Sequence, residues 1–428
     1  MDTDPIPADL LAEALERAAS PGWERFSEML AHTGGCTRPV RLTGTARRAD
    51  ADTGELALVY DSATEPDGVL LKACQSRRAT RCPACAATYR SDARALVLAG
   101  LIGGKGVSEE VIDHPLVFAT LTAPSFGAVH TTGTCHQLPI ICREGHTHRC
   151  GVEHEPADPI LGLPLCTESY DYDGAIIWNN RVTELWRRTT IATRRQLAGR
   201  VGIPVRTFDR HNRLAYLKVV EFQVRGLIHV HALLRLEGDG ACDGPTLATA
   251  VLAAVARTSA PNPLAGGPIR WGPRCQVDVV AAEGRQRLAG YLAKYTTKSI
   301  DAGGLLDHRL NREELARLDV GEHLHRLVKT CWDLGADPRL AECRLREWAH
   351  TLGFRGHWLT KNPNWSTNLT ALRRARHEYQ LQKAETDGVT IAEWSYAGTG
   401  HRTEGDAWLA QSVARDRWLN RRIAWEER

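Results

Sequence analysis

Residues 216–236 read YLKVVEFQVRGLIHVHALLRL, and this stretch decides the architecture. Two β-branched, apolar runs, Tyr216–Phe222 and Leu227–Leu236, flank a short segment ending at Gly226, the pattern of a β-hairpin. Strand side chains alternate between faces, so His229 and His231 share one face and Val230 points to the other. With Val224–Gly226 as a three-residue loop, Glu221 falls directly opposite His229 and on that same face. Two imidazoles and a carboxylate then converge with open positions around them, the donor set of a catalytic divalent cation. A bare His-x-His is more often structural; the carboxylate on the paired strand shifts the reading to metal.

About sixty residues on, RQRLAGYLAKYTTKS (Arg285–Ser299) reads as a helix. Tyr291 and Tyr295 are one helical turn apart and share a face, and Lys294 and Lys298 repeat the same step beside them. Helical tyrosines are usually half-buried packing groups. Opposite a metal site they acquire a second use, because a phenolate can attack a phosphodiester while lysine ammonium groups hold the phosphate.

Twelve cysteines occur, eight of them before residue 167. Short spacings in a chain read as cytoplasmic favour metal over disulfides. Cys82-Pro-Ala-Cys85, with Cys74 and Cys36 upstream, is expected to close a four-thiolate structural zinc site. A second cluster, CHQLPIICREGHTHRCGVEHEPADPILGLPLC, offers Cys135, Cys142, His146, His148, Cys150, His154 and Cys166. Several quartets are open; the expected set is Cys142, Cys150, His154 and Cys166, again as zinc ligands. Cys242, Cys275, Cys331 and Cys343 are isolated and read as small core residues.

The length of 428 residues, with 43% hydrophobic and 25% charged residues, excludes a miniprotein and a largely disordered chain. No apolar run reaches the roughly 18 residues that cross a bilayer, and residues 1–20 are acidic and amphipathic, unlike a secretion signal. A cytoplasmic protein without membrane attachment is therefore expected. The net charge of +3 carries no argument for nucleic acid. Its distribution does, since Leu185–Ala215 holds eight arginines against the single acid Asp209. Arg187, Arg188, Arg194 and Arg195 are the candidate DNA-binding residues, against the plainer reading of a solvated helix face.

Three motifs in fixed order, FATLT (Phe118–Thr122), HVH (His229–His231) and YLAKYTTK (Tyr291–Lys298), resemble those of the HUH (His-hydrophobic-His) endonucleases, the rolling-circle replication initiators. The stretches EFQVRGLIHVHALLRL, RCPACAATYRSDA, PLCTESYDYDGAIIWNNRVTELWRRTTI and GFRGHWLTKNP look similar to replication initiators of actinobacterial integrative conjugative elements and plasmids. The likeness spans roughly residues 30–380. It implies Mg2+ or Mn2+ on His229 and His231, with Glu221 a less certain third ligand. It further implies a tyrosine nickase that leaves a 5′-phosphotyrosine and a free 3′-hydroxyl for a host DNA polymerase. Tyr291 with Lys294, and Tyr295 with Lys298, both match the two-tyrosine form, and their order of use stays open. Where the family leads one to expect a second cysteine three residues after Cys166, this chain has Ser169, which leaves histidines to complete the zinc set. The expected partners are single-stranded and origin DNA, and because the segment GLIGGKGV (Gly100–Val107) lacks P-loop spacing, strand unwinding falls to a host helicase.

The implied fold is α+β: an antiparallel-sheet HUH core, zinc-binding N-terminal and inserted segments, and a mostly helical C-terminal region. Expected boundaries are 30–111 for the N-terminal zinc region and 112–302 for the catalytic domain, with the Cys/His insertion at 135–166. Residues 303–428 form the helical remainder, in which Phe354–Trp358 and Leu372–Tyr379 interleave aromatics with arginine as bases and phosphates would require. Two other classes share these features. One is an HUH relaxase or single-strand transposase; the other is a catalytically inactive, zinc-stabilised DNA-binding regulator.

Overall fold

The structure is a computed structural model. It describes residues 6–49, 53–142, 144–238, 240, 242–264, 266–301, 306, 308–382 and 389–426, excluding the side chains of 295–301, 376, 377, 379–382 and 421–426. It combines helices with antiparallel sheets in two compact units, one made of Met1–Asp92 with Leu369–Arg428, the other of Ala93–Asn368. Among the described residues no helix is long and apolar enough to cross a membrane.

The larger unit is built on a five-stranded antiparallel sheet. Its order is Gln276–Val279, Leu116–Leu121, Ile228–Glu237, Arg213–Phe222, Leu359–Lys361. The hairpin register pairs Ile228 with Phe222 and His229 with Glu221. The loop closes through Gln223 N–H to Leu227 C=O and Gly226 N–H to Gln223 C=O, each 2.9 Å. Gly226 is required twice over, by its φ of +75° and because a Cβ there would sit 2.3 Å from Leu327 Cδ1.

Both faces of the central strands are buried, which explains their nearly unbroken apolar sequence. One face, with Leu217, Val219 and Leu233, packs on Val97, Leu101, Ala289 and Leu292. The other, with Val220, Phe222, Val230 and Leu234, packs on the 30-residue helix Tyr172–Val201 through Ile176, Ile177 and Leu185. That helix starts where Asp171 accepts the Gly174 N–H and stops at left-handed Gly202.

Its Asn179 is fully buried and grips the hairpin. The side-chain amide donates to Gly226 C=O (2.8 Å) and Leu352 C=O (3.3 Å), and its oxygen accepts the Ile228 N–H (3.2 Å). Asn180 next to it donates to Cys343 C=O and Gly353 C=O.

In the smaller unit the strand Val40–Ala49 is paired antiparallel with Leu56–Asp61, Leu70–Lys72 and Val389–Thr399. Its core is Phe26, Met29, Leu30, Leu71 and Ala410. Arg17 joins the first helix to the last by an ion pair with Asp406, 2.7 Å from Nε to Oδ1.

The chain is thus partitioned differently from the three expected blocks. Residues 303–368 belong with the five-stranded sheet, to which they add Leu359–Lys361, whereas 369–428 belong with the N-terminal region. The C-terminal region is also not purely helical, because VTIAEWSYAGT forms the 11-residue strand Val389–Thr399. Its β-branched and aromatic residues at alternate positions are strand-like, a signal outweighed in the sequence by the surrounding arginine-rich helices. The helix Pro83–Ile102 begins inside the Cys-x-x-Cys, where proline suits a first helical position.

Replacing Asn179 with leucine conserves volume but leaves the Ile228 N–H and Gly226 C=O buried without partners. Its expected cost is about 3 kcal/mol, from roughly 1–3 kcal/mol per orphaned group, read as a lowered urea midpoint by circular dichroism. A loss below about 1 kcal/mol would show that the hairpin does not rely on this amide.

Candidate functional site: a histidine face, a tyrosine helix and two thiolate-rich clusters

The strand pairing places the expected catalytic residues on one face. His231 Nε2 lies 3.2 Å from Glu221 Oε2, and its Nδ1 lies 3.4 Å from Thr120 Oγ1 on the neighbouring strand Leu116–Leu121. The His229 and His231 rings stand 6.4 Å apart. His231 and Glu221 therefore meet as two donors of one ion would, while His229 stands further off and opens into a cleft of about 830 Å3 shared with Glu221, Arg225 and Arg274. Burial, then the charges of Arg225 and His231, push His229 down to about 3. It is thus neutral at physiological pH, the state a metal ligand requires. Two imidazoles and a carboxylate are the donor types of a divalent-cation site, but His229, His231 and Glu221 are not among the groups whose donor atoms all lie within 4.8 Å of one another.

The tyrosine helix (Arg285–Asp301) crosses this face. The Tyr291 ring stands edge-on to His231 at 6.3 Å and to Phe118 at 6.1 Å, while Phe118 stacks on His231 at 5.9 Å. Tyr291 is 42% exposed, so it reaches a substrate without being lost to the core. Lys294 is exposed one turn on. Tyr295 and Lys298 fall in the same helix, but their side chains lie outside the described residues. A residue the sequence reading passed over holds the helix in place. Buried Arg285, at its first position, donates to the carbonyls of Leu101 (3.1 Å), Val111 (2.8 Å) and His114 (2.9 Å).

The first cysteine set assembles as expected. One sulfur from each of Cys36, Cys74, Cys82 and Cys85 lies within 4.8 Å of the others, with Cys36 and Cys82 3.7 Å apart. A tetrahedral zinc with bonds of about 2.3 Å spaces its sulfurs by about 3.8 Å. The Cys74 N–H points at Cys36 Sγ and the Ser76 N–H at Cys74 Sγ, as thiolates need. This cluster can hold zinc.

The second set groups differently from the expected one. Cys150 and His154 converge not with Cys142 and Cys166 but with His130 and Cys135. His154 Nε2 is 3.2 Å from Cys150 Sγ and 3.3 Å from His130 Nδ1, and Cys135 Sγ is 3.8 Å from His130 Nδ1. These are the edges of a two-sulfur, two-nitrogen tetrahedron. The cause is the pairing of Gly133–Thr134 with Glu153–His154, which carries Cys135 to Cys150 and leaves Cys142 on a separate hairpin. His130 went unrecognised because it lies outside the dense run. Asp158 Oδ2, 2.6 Å from His154 Nδ1, fixes the tautomer that frees Nε2 for metal.

Three of the four candidate DNA-binding arginines are engaged internally. Arg187 and Arg188 pair with Glu184, and Arg194 pairs with Asp209; Arg195 is exposed. Arg225 and Arg274, far apart in sequence, both line the histidine cleft. Of the aromatics proposed to stack bases, Phe354 is buried against Phe222 and Trp358, so it belongs to the core.

Substituting Asp158 with alanine should weaken zinc at the His130/Cys135/Cys150/His154 cluster by about 10–100-fold. Competition against a chromophoric chelator measures it; unchanged affinity would mean that the carboxylate does not orient His154.

The model of the family described as replication initiator protein, pSAM2, matches residues 22–415. A replication initiator protein of Streptomyces ambofaciens is 42% identical over 455 residues, covering 97% of this chain and 95% of that protein. No solved structure matches. Likeness at that identity, running through both units and all three motifs, makes this chain a member of the pSAM2 replication initiator protein family.

Proposed function

We propose that this protein initiates rolling-circle replication by nicking one DNA strand at an origin through a tyrosine transesterification. Membership of a replication initiator family supports initiation at DNA. What supports the nick is the contact of Tyr291 with His231, edge-on at 6.3 Å, above a strand pair that also carries Glu221 and His229. A nucleophile and a metal-type donor set rarely share one face without a joint use.

In this reading a backbone phosphate of single-stranded origin DNA lies over the histidine face, beside Tyr291 and the mouth of the cleft lined by His229 and Glu221. Arg225 and Arg274 hold its non-bridging oxygens, and Lys294 follows the strand along the helix. His229, His231 and Glu221 would hold Mg2+ or Mn2+, whose contribution is to polarise the phosphate oxygens. The Tyr291 oxygen bonds to phosphorus as the bond to the 3′-oxygen breaks, and the phenolic proton ends on the released 3′-hydroxyl. A host DNA polymerase extends that hydroxyl while a host helicase opens the duplex. The phosphotyrosine keeps the energy of the broken bond, so a later hydroxyl, or a strand transfer through Tyr295, rejoins the DNA without ATP. The cysteine clusters take structural zinc, and the one containing His130 fixes the segment whose Thr131 and His136 wall the cleft.

The test is a cleavage assay on single-stranded DNA from the locus that encodes the protein, with Mg2+ or Mn2+, scored as a denaturation-resistant protein–DNA adduct. Tyr291→Phe should abolish the adduct or, if Tyr295 attacks first, Tyr295→Phe should. The His229→Ala/His231→Ala double variant should slow it by about 100-fold or more. DNA binding without an adduct on either strand would overturn the nickase in favour of a zinc-stabilised DNA-binding regulator.

A further inference from the structure

We infer that the inserted segment carries a second, separate zinc site, formed by Cys142, His146, His148 and Cys166, so that the chain binds three structural zinc ions. This inference does not rest on the nicking reaction. One donor atom from each of Cys142, His146 and His148 lies within 4.8 Å of the others. Cys142 and Cys166 face each other across a cavity of about 300 Å3, which His148 also lines.

Two further observations point to an ion. His148 Nε2 is buried with no hydrogen-bond partner, a costly state for an imidazole nitrogen unless a metal takes its lone pair. Among the described residues its hairpin also has little apolar support. The paired strands Ile140–Ile141 and Thr147–His148 are two residues each, and the nearby apolar side chains face solvent, Leu138 being 79% and Ile141 73% exposed. A segment this short without a core folds only if stapled. The turn itself is preset, with the Cys142 N–H donating to His146 C=O at 2.8 Å and Gly145 at a φ of +82°. That geometry brings Cys142 and His146 to one end of the hairpin. Cys166 lies five residues before the Asp171 cap of the 30-residue helix, so the ion would tie the hairpin to the start of that helix.

The experiment is metal analysis of the full-length protein by inductively coupled plasma mass spectrometry after removal of loosely bound ions. Three zinc ions per chain are expected, falling to two in Cys142→Ser and in His148→Ala, and also to two in Cys135→Ser, which empties the neighbouring cluster. Two zinc ions in the wild type, or an undiminished count in Cys142→Ser and His148→Ala, would overturn the inference. Should those variants fail to fold, the wild type still decides through iodoacetamide labelling read by mass spectrometry. Cys142 and Cys166 should resist labelling to the same degree as Cys135 and Cys150 until a chelator is added. Labelling of Cys142 and Cys166 at the rate of an unprotected thiol, with the other two still protected, excludes the site.

Discussion

Everything at the histidine face depends on the register of one hairpin. A slip of a single residue between Arg213–Phe222 and Ile228–Glu237 would put Glu221 and the two histidines on opposite faces of the sheet. Two devices oppose that slip. Gly226 admits the close approach of Leu327, and Asn179 holds the exit of the loop, at Gly226 and Ile228, with one amide. Both act from the side of the sheet away from the donors, so the register is fixed without occupying the cleft.

The molecule orders its parts by two different means. Where apolar side chains are plentiful, as around Val220 and Ile176, burial supplies the cohesion. Even charged groups are absorbed there. Arg235 donates to the carbonyls of Gly100 and Asn364, and Arg285 to three more, so buried guanidiniums bind loop backbone in place of carboxylates. Where apolar residues are scarce, in the Cys36–Cys85 region and the insertion, sulfur and imidazole donors converge instead.

The hairpin, the facing of Glu221 and His229, and the tyrosine helix were legible in the sequence because they rest on local periodicity, two residues for a strand and four for a helix. The first cysteine quartet was legible from its Cys-x-x-Cys. The rest depends on pairing between distant segments, which spacing does not encode. His130 joins Cys150 and His154 only because Gly133–Thr134 pairs with Glu153–His154, and Arg225 and Arg274 meet only across the cleft. The run of arginines is visible in sequence, but not that Arg187 and Arg188 share the one carboxylate of Glu184 while Arg194 pairs with Asp209.

The closure of the smaller unit by Val389–Thr399 has a consequence for how the protein is made. The strand Val40–Ala49 emerges from the ribosome long before its principal partner, with roughly 340 residues between them. At about 5–20 residues per second that is a wait of roughly 20–70 s. During it, Val40–Ala49 has only Leu56–Asp61 and Leu70–Lys72 to pair with, and one long edge stays open. Ala93–Asn368, by contrast, is contiguous and can condense as soon as it is translated. A nascent chain therefore holds its histidine face and tyrosine helix before its N-terminal sheet is complete, and a ribosome that stalls short of residue 389 releases the first without the second.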